Sequence, residues 1–320
     1  MIAYEDIIAA KTRIGAEALR TPLLHSPFLD EIAGRPLYVK PECLQRTGSF
    51  KLRGAWSAIS AIPDAVRASG VIAYSSGNHA QGVAYAAKAH GVPAVIIMPA
   101  DAPKLKIDNT RAYGAEVVLY DRYTEDRDAI GDRLAEERNL SLVKPFDDER
   151  VIAGQGTVGL EIAEQADELG LDSASVLVPC GGGGLTSGIA IALERIAPGL
   201  VVRPCEPEDF DDTSRSLLAR EILANASGGK TICDAIMTPQ PGNLTFPHLS
   251  RLCGPGIVVT EDEVLRAMGL AFQRLKIAIE PGGAVGLAAA LFHGEELDTP
   301  AVIAVASGGN VDEDMFSRAL

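Results

Sequence analysis

A lysine set among small and apolar neighbours, Ser49-Phe50-Lys51-Leu52-Arg53-Gly54-Ala55, is the first residue of this chain whose surroundings could make it reactive. Taken out of water, an ammonium loses its proton more readily, and the free amine is a nucleophile able to form a Schiff base with an aldehyde. An exposed lysine opening an amphipathic helix fits the same seven residues equally well. A second segment, Cys180-Gly181-Gly182-Gly183-Gly184-Leu185, lies between an apolar run of strand type and a helical pattern. Four consecutive glycines sacrifice more backbone entropy than a simple turn warrants. Bare N–H groups at the positive end of a helix are suited to surround a phosphate, so a small phosphorylated ligand is implied.

Three further segments carry chemistry of other kinds. Ser75-Ser76-Gly77-Asn78-His79 follows a predicted strand and opens a predicted helix, where hydroxyls and backbone donors can grip a carboxylate; taken alone, His79 is an ordinary helix-start histidine. Glu206-Pro207-Glu208-Asp209-Phe210-Asp211-Asp212 offers hard oxygen ligands suited to Mg²⁺ or Ca²⁺, with Glu206 and Asp212 as the carboxylates. As a bare charge cluster it reads as a solvated loop. Ser307 stands beside two glycines and taken alone is a loop serine. A competitor, Gly154-Gln155-Gly156-Thr157-Val158-Gly159, satisfies the dinucleotide GxGxxG pattern, but the residues before it, DDERVIA, are charged where a buried strand is required. Nicotinamide binding is rejected on that context.

The elements that must position these residues can be read from Val71 onward. VIAY, AVIIMP, EVVLY and LSLVKP alternate with helical patterns, giving a βαβαβαβ order and a small parallel sheet. Gly91 and Gly114 stand where helix C-caps belong. A second set follows, with SVLVPC, LVVRPCEP and AVIAVAS as strands and LTSGIAIALERIA as a helix. The reading is α/β, with two open parallel α/β domains and a site in the cleft between them.

Composition sets the bounds. At 320 residues and 47% hydrophobic content the chain can bury a large core, with room for two domains. A formal charge of -14 with no offsetting basic cluster argues against nucleic-acid binding. No apolar run reaches membrane-spanning length and the opening residues lack the pattern of a signal peptide, so no membrane contact and a cytoplasmic location are expected. The five cysteines, Cys43, Cys180, Cys205, Cys233 and Cys253, lack any zinc-like spacing and read as reduced, mostly buried thiols.

The stretch LQRTGSFKLRGA at 44–55 resembles the cofactor-lysine motif of fold-type II pyridoxal-phosphate (PLP) enzymes, specifically the serine/threonine dehydratase and serine racemase group. SSGNHAQG at 75–82, VIAGQGT at 151–157, CGGGGL at 180–185, the CEPEDFDD stretch and ASGGNVD at 306–312 follow in that family's order, so the resemblance spans essentially the whole chain. It implies a tryptophan synthase β-like architecture with a large cofactor-binding domain, 1–69 and 147–320, and a small substrate-closing domain, 70–146. Lys51 is then the residue that bonds PLP covalently, with Phe50 beside the ring, Asn78 on the phenolic oxygen, Gly181, Gly182, Gly183 and Gly184 on the phosphate and Ser307 at the pyridine nitrogen. Ser75, Gly77, Asn78 and His79 bind the substrate carboxylate, and Ser76 is the acid–base group on the face opposite Lys51. Glu206, Asp212 and the carbonyl of Phe210 hold a divalent cation, although a phenylalanine replaces the usual small residue there.

The activity so implied is β-elimination of water, usually with loss of ammonia, from a small 3-hydroxy amino acid such as threonine, serine or 3-hydroxyaspartate. Serine or aspartate racemisation with side dehydration is the alternative, and a PLP-binding regulatory protein without chemistry is the reading from a different class. Lys144 and Arg133 are candidate extra cations near the cleft, each also readable as a surface charge. A homodimer is expected, and feedback control through the regulatory domain that biosynthetic threonine dehydratases append after the catalytic part is not expected.

Overall fold

Ten short strands alternate with helices in a computed structural model that describes residues 1–75, 77–102, 104–121 and 123–320, and of Leu105 the backbone alone. The strands are β1 (Leu24–His25), β2 (Leu37–Pro41), β3 (Val71–Tyr74), β4 (Ala94–Pro99), β5 (Glu116–Tyr120), β6 (Ser141–Leu142), β7 (Ala174–Pro179), β8 (Leu200–Pro207), β9 (Ile257–Val259) and β10 (Val302–Ala306). They form two sheets. One runs β1-β2-β10-β7-β8-β9 and is parallel except for β1, and the other runs β5-β4-β3-β6 and is parallel throughout.

Strands β4, β7 and β10 are buried along their whole length, because helices cover both faces of each parallel sheet. That is why they read as unbroken apolar runs rather than alternating ones. The expected strand LSLVKP is shorter than its pattern. Only Ser141 and Leu142 pair with β3, and the Val143 N–H still reaches the Ile72 carbonyl at 2.9 Å. Pro145 has no N–H with which to extend a ladder. Three strands, β1, β2 and β9, were not expected: β1 and β9 have two and three residues, and β2 carries the buried Lys40, whose charge hides its core position.

Gly91 and Gly114 do terminate helices. Their φ angles are 68° and 97°, and their N–H groups donate back to the Lys88 and Arg111 carbonyls. The GxGxxG segment lies in the middle of helix Glu149–Glu168, started by the Asp148 side chain, which accepts from the Arg150 N–H. A Cβ on Gly154 would come 2.5 Å from the Arg53 carbonyl oxygen, and one on Gly156 2.9 Å from that of Gly188. These glycines let helices Lys51–Ser60 and Gly184–Ile196 pack closely on this helix, a role unrelated to dinucleotides.

The helix carrying Lys51 is fixed from behind by a buried ionic cluster. Arg53 donates to Glu42 Oε1 and Oε2, both at 2.8 Å, and to Glu161 Oε1 and Oε2 at 2.7 and 2.9 Å. Lys40 reaches Glu161 at 2.7 Å, Gln165 at 3.0 Å and the Thr21 carbonyl at 2.7 Å. Burial opposes ionisation of Glu42, but the Arg53 guanidinium and Lys40 outweigh it and hold the carboxyl below its ordinary value. The five cysteines are free thiols, four of them buried and Cys253 half-buried. Among the described residues no helix is long and apolar enough to cross a membrane.

Candidate active site

The carboxyl ends of β3, β4, β7 and β10 all open onto one cavity of about 530 Å³, where ligands of open parallel sheets are expected to bind. Lys51, Gly181 to Gly184 and Ser307 line it from the six-stranded side, and Tyr74, Ser75, Gly77, Asn78 and Lys106 from the four-stranded side. Segments that are distant in sequence thus meet at one place.

Lys51 begins helix Lys51–Ser60, and the preceding Phe50 N–H donates to the Ser307 carbonyl at 3.1 Å. Its ammonium donates to the Pro145 carbonyl at 2.8 Å and lies 5.1 Å from the Phe50 ring centroid. Burial lowers its pKa to about 8, partly offset by the charge of Glu280. The lysine is therefore the desolvated amine that a nucleophile requires, rather than the exposed helix-start residue.

The glycine run forms the turn between β7 and helix Gly184–Ile196, with Gly183 at φ 87° as the residue preceding the helix. The carbonyl of Gly182 is turned away, accepting from the Gly242 N–H at 3.2 Å and the Thr245 hydroxyl at 2.6 Å. The Phe146 ring lies so close that a Cβ on Gly182 would collide with it. In the first turn of the helix, the Thr186 hydroxyl is buried, faces the cavity wall and has no hydrogen-bond partner among the described residues. A cradle with no space for side chains and an unmatched hydroxyl at a positive helix end fit a phosphate group.

Asn78 opens helix Asn78–Ala89 and its side chain is held on both ends: Nδ2 donates to Glu280 Oε1, and Oδ1 accepts from Asn310 Nδ2 at 2.7 Å. His79 is buried, and its Nε2–H donates to the Val143 carbonyl at 2.9 Å. Burial, with Lys51 nearby, depresses the imidazole to about 3, so it stays neutral. Ser75 Oγ accepts from the Gly77 N–H at 3.2 Å. Ser307 is buried on the cavity wall. Ser76, the expected acid–base group of the second face, lies outside the described residues.

The structure replaces the expected extra cations. Lys144 and Arg133 are exposed and do not line the cavity; Lys106 and Arg127 do. Lys106 is buried and pairs with Asp234 at 2.6 Å, while Arg127, itself exposed at the cavity rim and paired with Asp128 at 2.9 Å, stacks its guanidinium over Tyr74 at 5.3 Å. Sequence reasoning missed Lys106, Phe146, Thr186, Glu280 and Asn310. Of these, Glu280 had a visible signal, as a lone acid between the apolar KIAI and PGGAVG. Lys106 had none, because PKLKIDNT reads as any amphipathic helix.

Away from the cavity, Glu206 and Asp212 are brought together and buried. Glu206 Oε1 accepts from the Thr213 N–H at 2.8 Å, and Oε2 from the Ser214 N–H and hydroxyl, both at 2.7 Å. Asp212 Oδ1 accepts from Asn225 at 2.6 Å, and its buried Oδ2 has no partner among the described residues. Burial and the neighbouring Asp212 push Glu206 up to about 8, and burial pushes Asp212 up to about 6. Two adjoining buried carboxylates with a free oxygen fit a cation, although no group of three or more acidic, histidine or cysteine side chains is gathered there among the described residues. Phe210 between them is buried, its ring against Gly229.

Comparison with known proteins places this geometry. Residues 16–308 match the family model described as pyridoxal-phosphate dependent enzyme. The chain is 41% identical to an L-threo-3-hydroxyaspartate ammonia-lyase of Saccharomyces cerevisiae over 98% of its own length and 95% of that protein's. Among solved structures it is similar to a T.th. threonine deaminase, at 45% identity and a TM-score of 0.91, covering 97% and 99% of the two chains. It is also similar to serine racemase from Dictyostelium discoideum, at 40% identity and a TM-score of 0.90, with the same coverage of 97% and 99%.

Proposed function

This chain belongs to the pyridoxal-phosphate dependent enzyme family, and from that premise we propose that it eliminates water and then ammonia from a small 3-hydroxy amino acid. The observation that carries the reading is the meeting of a desolvated lysine amine and a glycine cradle for phosphate on the walls of one cavity. PLP, when bound, supplies an aldehyde for the substrate amine and a ring that accepts electron density from Cα. Gly181 to Gly184 and Thr186 would hold its phosphate, and Phe50, Phe146, Asn78 and Ser307, which line the same cavity, would surround its ring.

The chain's own residues then do the orienting and the proton transfer. Backbone donors of Gly77, Asn78 and His79, with Ser75 Oγ, hold the substrate carboxylate and so set which Cα–H bond faces the lysine. Lys51 Nζ would anchor the cofactor covalently and, when free, would take the Cα proton. With a pKa near 8, the displaced lysine is a competent base close to neutral pH. His79, held neutral, contributes shape and a fixed position rather than a proton. The products are a 2-oxo acid and ammonium.

The substrate best matched is a dicarboxylic one, 3-hydroxyaspartate. Besides Lys51, two cations line the cavity, Lys106 paired with Asp234 and Arg127 with Asp128, and a second carboxylate would be held by displacing those acids. The division into a large domain, 1–69 and 147–320, and a small closing domain, 70–146, belongs to this proposal, as do a homodimer and a structural Mg²⁺ or Ca²⁺ on Glu206, Asp212 and the Phe210 carbonyl. Serine racemisation is the competing reading, since relatives with that name are as similar as 41%.

Oxo-acid formation and enantiomer exchange, measured on serine, threonine and 3-hydroxyaspartate, separate these readings. We expect elimination from 3-hydroxyaspartate to dominate, and Lys106→Met or Arg127→Met to raise its KM by about tenfold while changing serine by less than about threefold. Enantiomer exchange faster than oxo-acid release on every substrate would overturn the assignment, and equal KM changes for both substrates would overturn the dicarboxylic choice.

A further inference from the structure

Behind the cavity wall, Glu280 holds an unusual position. It is the residue preceding helix Pro281–Phe292, only 1% exposed, and it borders a second chamber of about 450 Å³ rather than the reaction cavity. The two chambers share Lys106 and Asp234 in their walls. Between Glu280 and the reaction cavity stands the side chain of Asn78.

We infer that Glu280 is a positioning residue, whose carboxylate fixes the Asn78 amide in the orientation that meets the cofactor ring. The inference rests on the proposed reading that Asn78 contacts PLP. An asparagine amide offers two N–H bonds and a carbonyl oxygen. Here the oxygen accepts from Asn310 Nδ2 and one N–H goes to Glu280 Oε1, so a single N–H remains for a ligand. Asn310 is itself anchored on the Thr47 carbonyl at 2.8 Å, so the amide is clamped between two fixed partners and its flip is forbidden. Asn78 reaches the clamp from the four-stranded side, while Glu280 and Asn310 belong to the segment around β10.

The backbone of the same residue holds the Ser307 turn, and its carboxylate packs against it. The Glu280 N–H donates to the Gly308 carbonyl at 3.0 Å, and a Cβ on Gly308 would collide with Glu280 Oε1 and lie 3.0 Å from Asn78 Nδ2. The glycine after Ser307 is thus required by the proximity of Glu280. The second oxygen, Oε2, is buried without a partner among the described residues. Burial and the charge of Asp234 raise the carboxyl to about 7, against the lowering effects of Lys106, the Asn78 N–H and Lys51. The nearby Cys43 and Cys233 thiols are both pushed up to about 12 by burial and remain neutral. A proton can therefore reside on Oε2 while Oε1 keeps its bond to Asn78, and near neutral pH the acceptor changes from carbonyl to carboxylate.

Cofactor affinity and the absorption maximum of bound PLP read this role without turnover. Glu280→Ala should weaken PLP binding to the apoenzyme by about tenfold or more, the effect of removing a charged hydrogen-bond partner. Glu280→Gln keeps an acceptor oxygen and should bind within about threefold of wild type, but should lose the shift of the absorption maximum that wild type shows near pH 7. In an Asn78→Ala background, Glu280→Gln and Glu280→Ala should add no further weakening, because the partner they act through is gone. Where Glu280→Ala fails to fold, Glu280→Gln alone and in that background decides. A pH-dependent shift that persists in Glu280→Gln, or losses that add fully to those of Asn78→Ala, would overturn the inference. Borohydride trapping of PLP on wild-type Lys51 is scored separately: its absence overturns the underlying reading, whereas trapping with unresponsive Glu280 variants overturns only the inference.

Discussion

The Lys51 ammonium donates to the Pro145 carbonyl at 2.8 Å, tying the start of helix Lys51–Ser60 to the segment that leaves the four-stranded sheet after β6. Both residues line the cavity, together with the glycine turn.

Reactivity of that lysine should follow its burial. With a pKa of about 8, most Lys51 carries a proton at pH 7 and is free amine by pH 9. Borohydride reduction of the holoenzyme followed by peptide mapping should place the pyridoxyl group on Lys51. Lys51→Ala should abolish both the label and turnover, and a label on any other lysine would remove Lys51 from the assignment.

The glycine turn should tolerate no side chain. Gly182→Ala drives a methyl into the Phe146 ring, and Gly183→Ala adds left-handed backbone strain of about 1 kcal/mol together with contact to Leu249 at 2.7 Å. Both variants should lose affinity for PLP by about tenfold or more with the fold retained, measured by cofactor titration and circular dichroism. Retention of wild-type affinity in both would show that the phosphate sits elsewhere.

Divalent cation should stabilise the pair Glu206 and Asp212. A ligand bound by the folded state alone raises the melting temperature by mass action. Mg²⁺ or Ca²⁺ added to chelator-treated protein should therefore raise Tm, and Glu206→Gln with Asp212→Asn should abolish that response. An identical Tm with and without cation in the wild type would exclude the site.

The ionic cluster behind Lys51 should be a stability determinant. Arg53→Ala leaves Glu42 and Glu161 buried without their main counter-charge and should destabilise by roughly 3–5 kcal/mol. Since Glu42 is held below its ordinary value, its contribution is present above pH 4.5 and is lost as pH falls through its lower folded pKa. Urea unfolding of wild type and Glu42→Gln between pH 3 and 7 should show the acid-induced loss in the wild type and a smaller pH slope in the variant.

Much of this site was legible because it is written in local features. The strands β3, β4, β5, β7, β8 and β10 are strongly apolar and bounded by turn residues, so their existence and order follow from pattern alone. The lysine's apolar setting and the glycine run are likewise contiguous, and their chemistry depends on immediate neighbours. What the chain does not display locally is who faces whom. Lys106 joins Asp234 across 128 residues and Asn78 meets Glu280 across 202, contacts that exist only once the two sheets stand with their carboxyl ends facing each other. The GxGxxG segment makes the same point in reverse, since its spacing suggests a nucleotide turn, whereas packing turns it into a close helix crossing. Residue types and their neighbours determined which chemistry was available, because desolvation and backbone freedom are local properties. The tertiary structure decided which distant charges share the cavity, because pairing energies depend on separations that sequence distance does not constrain.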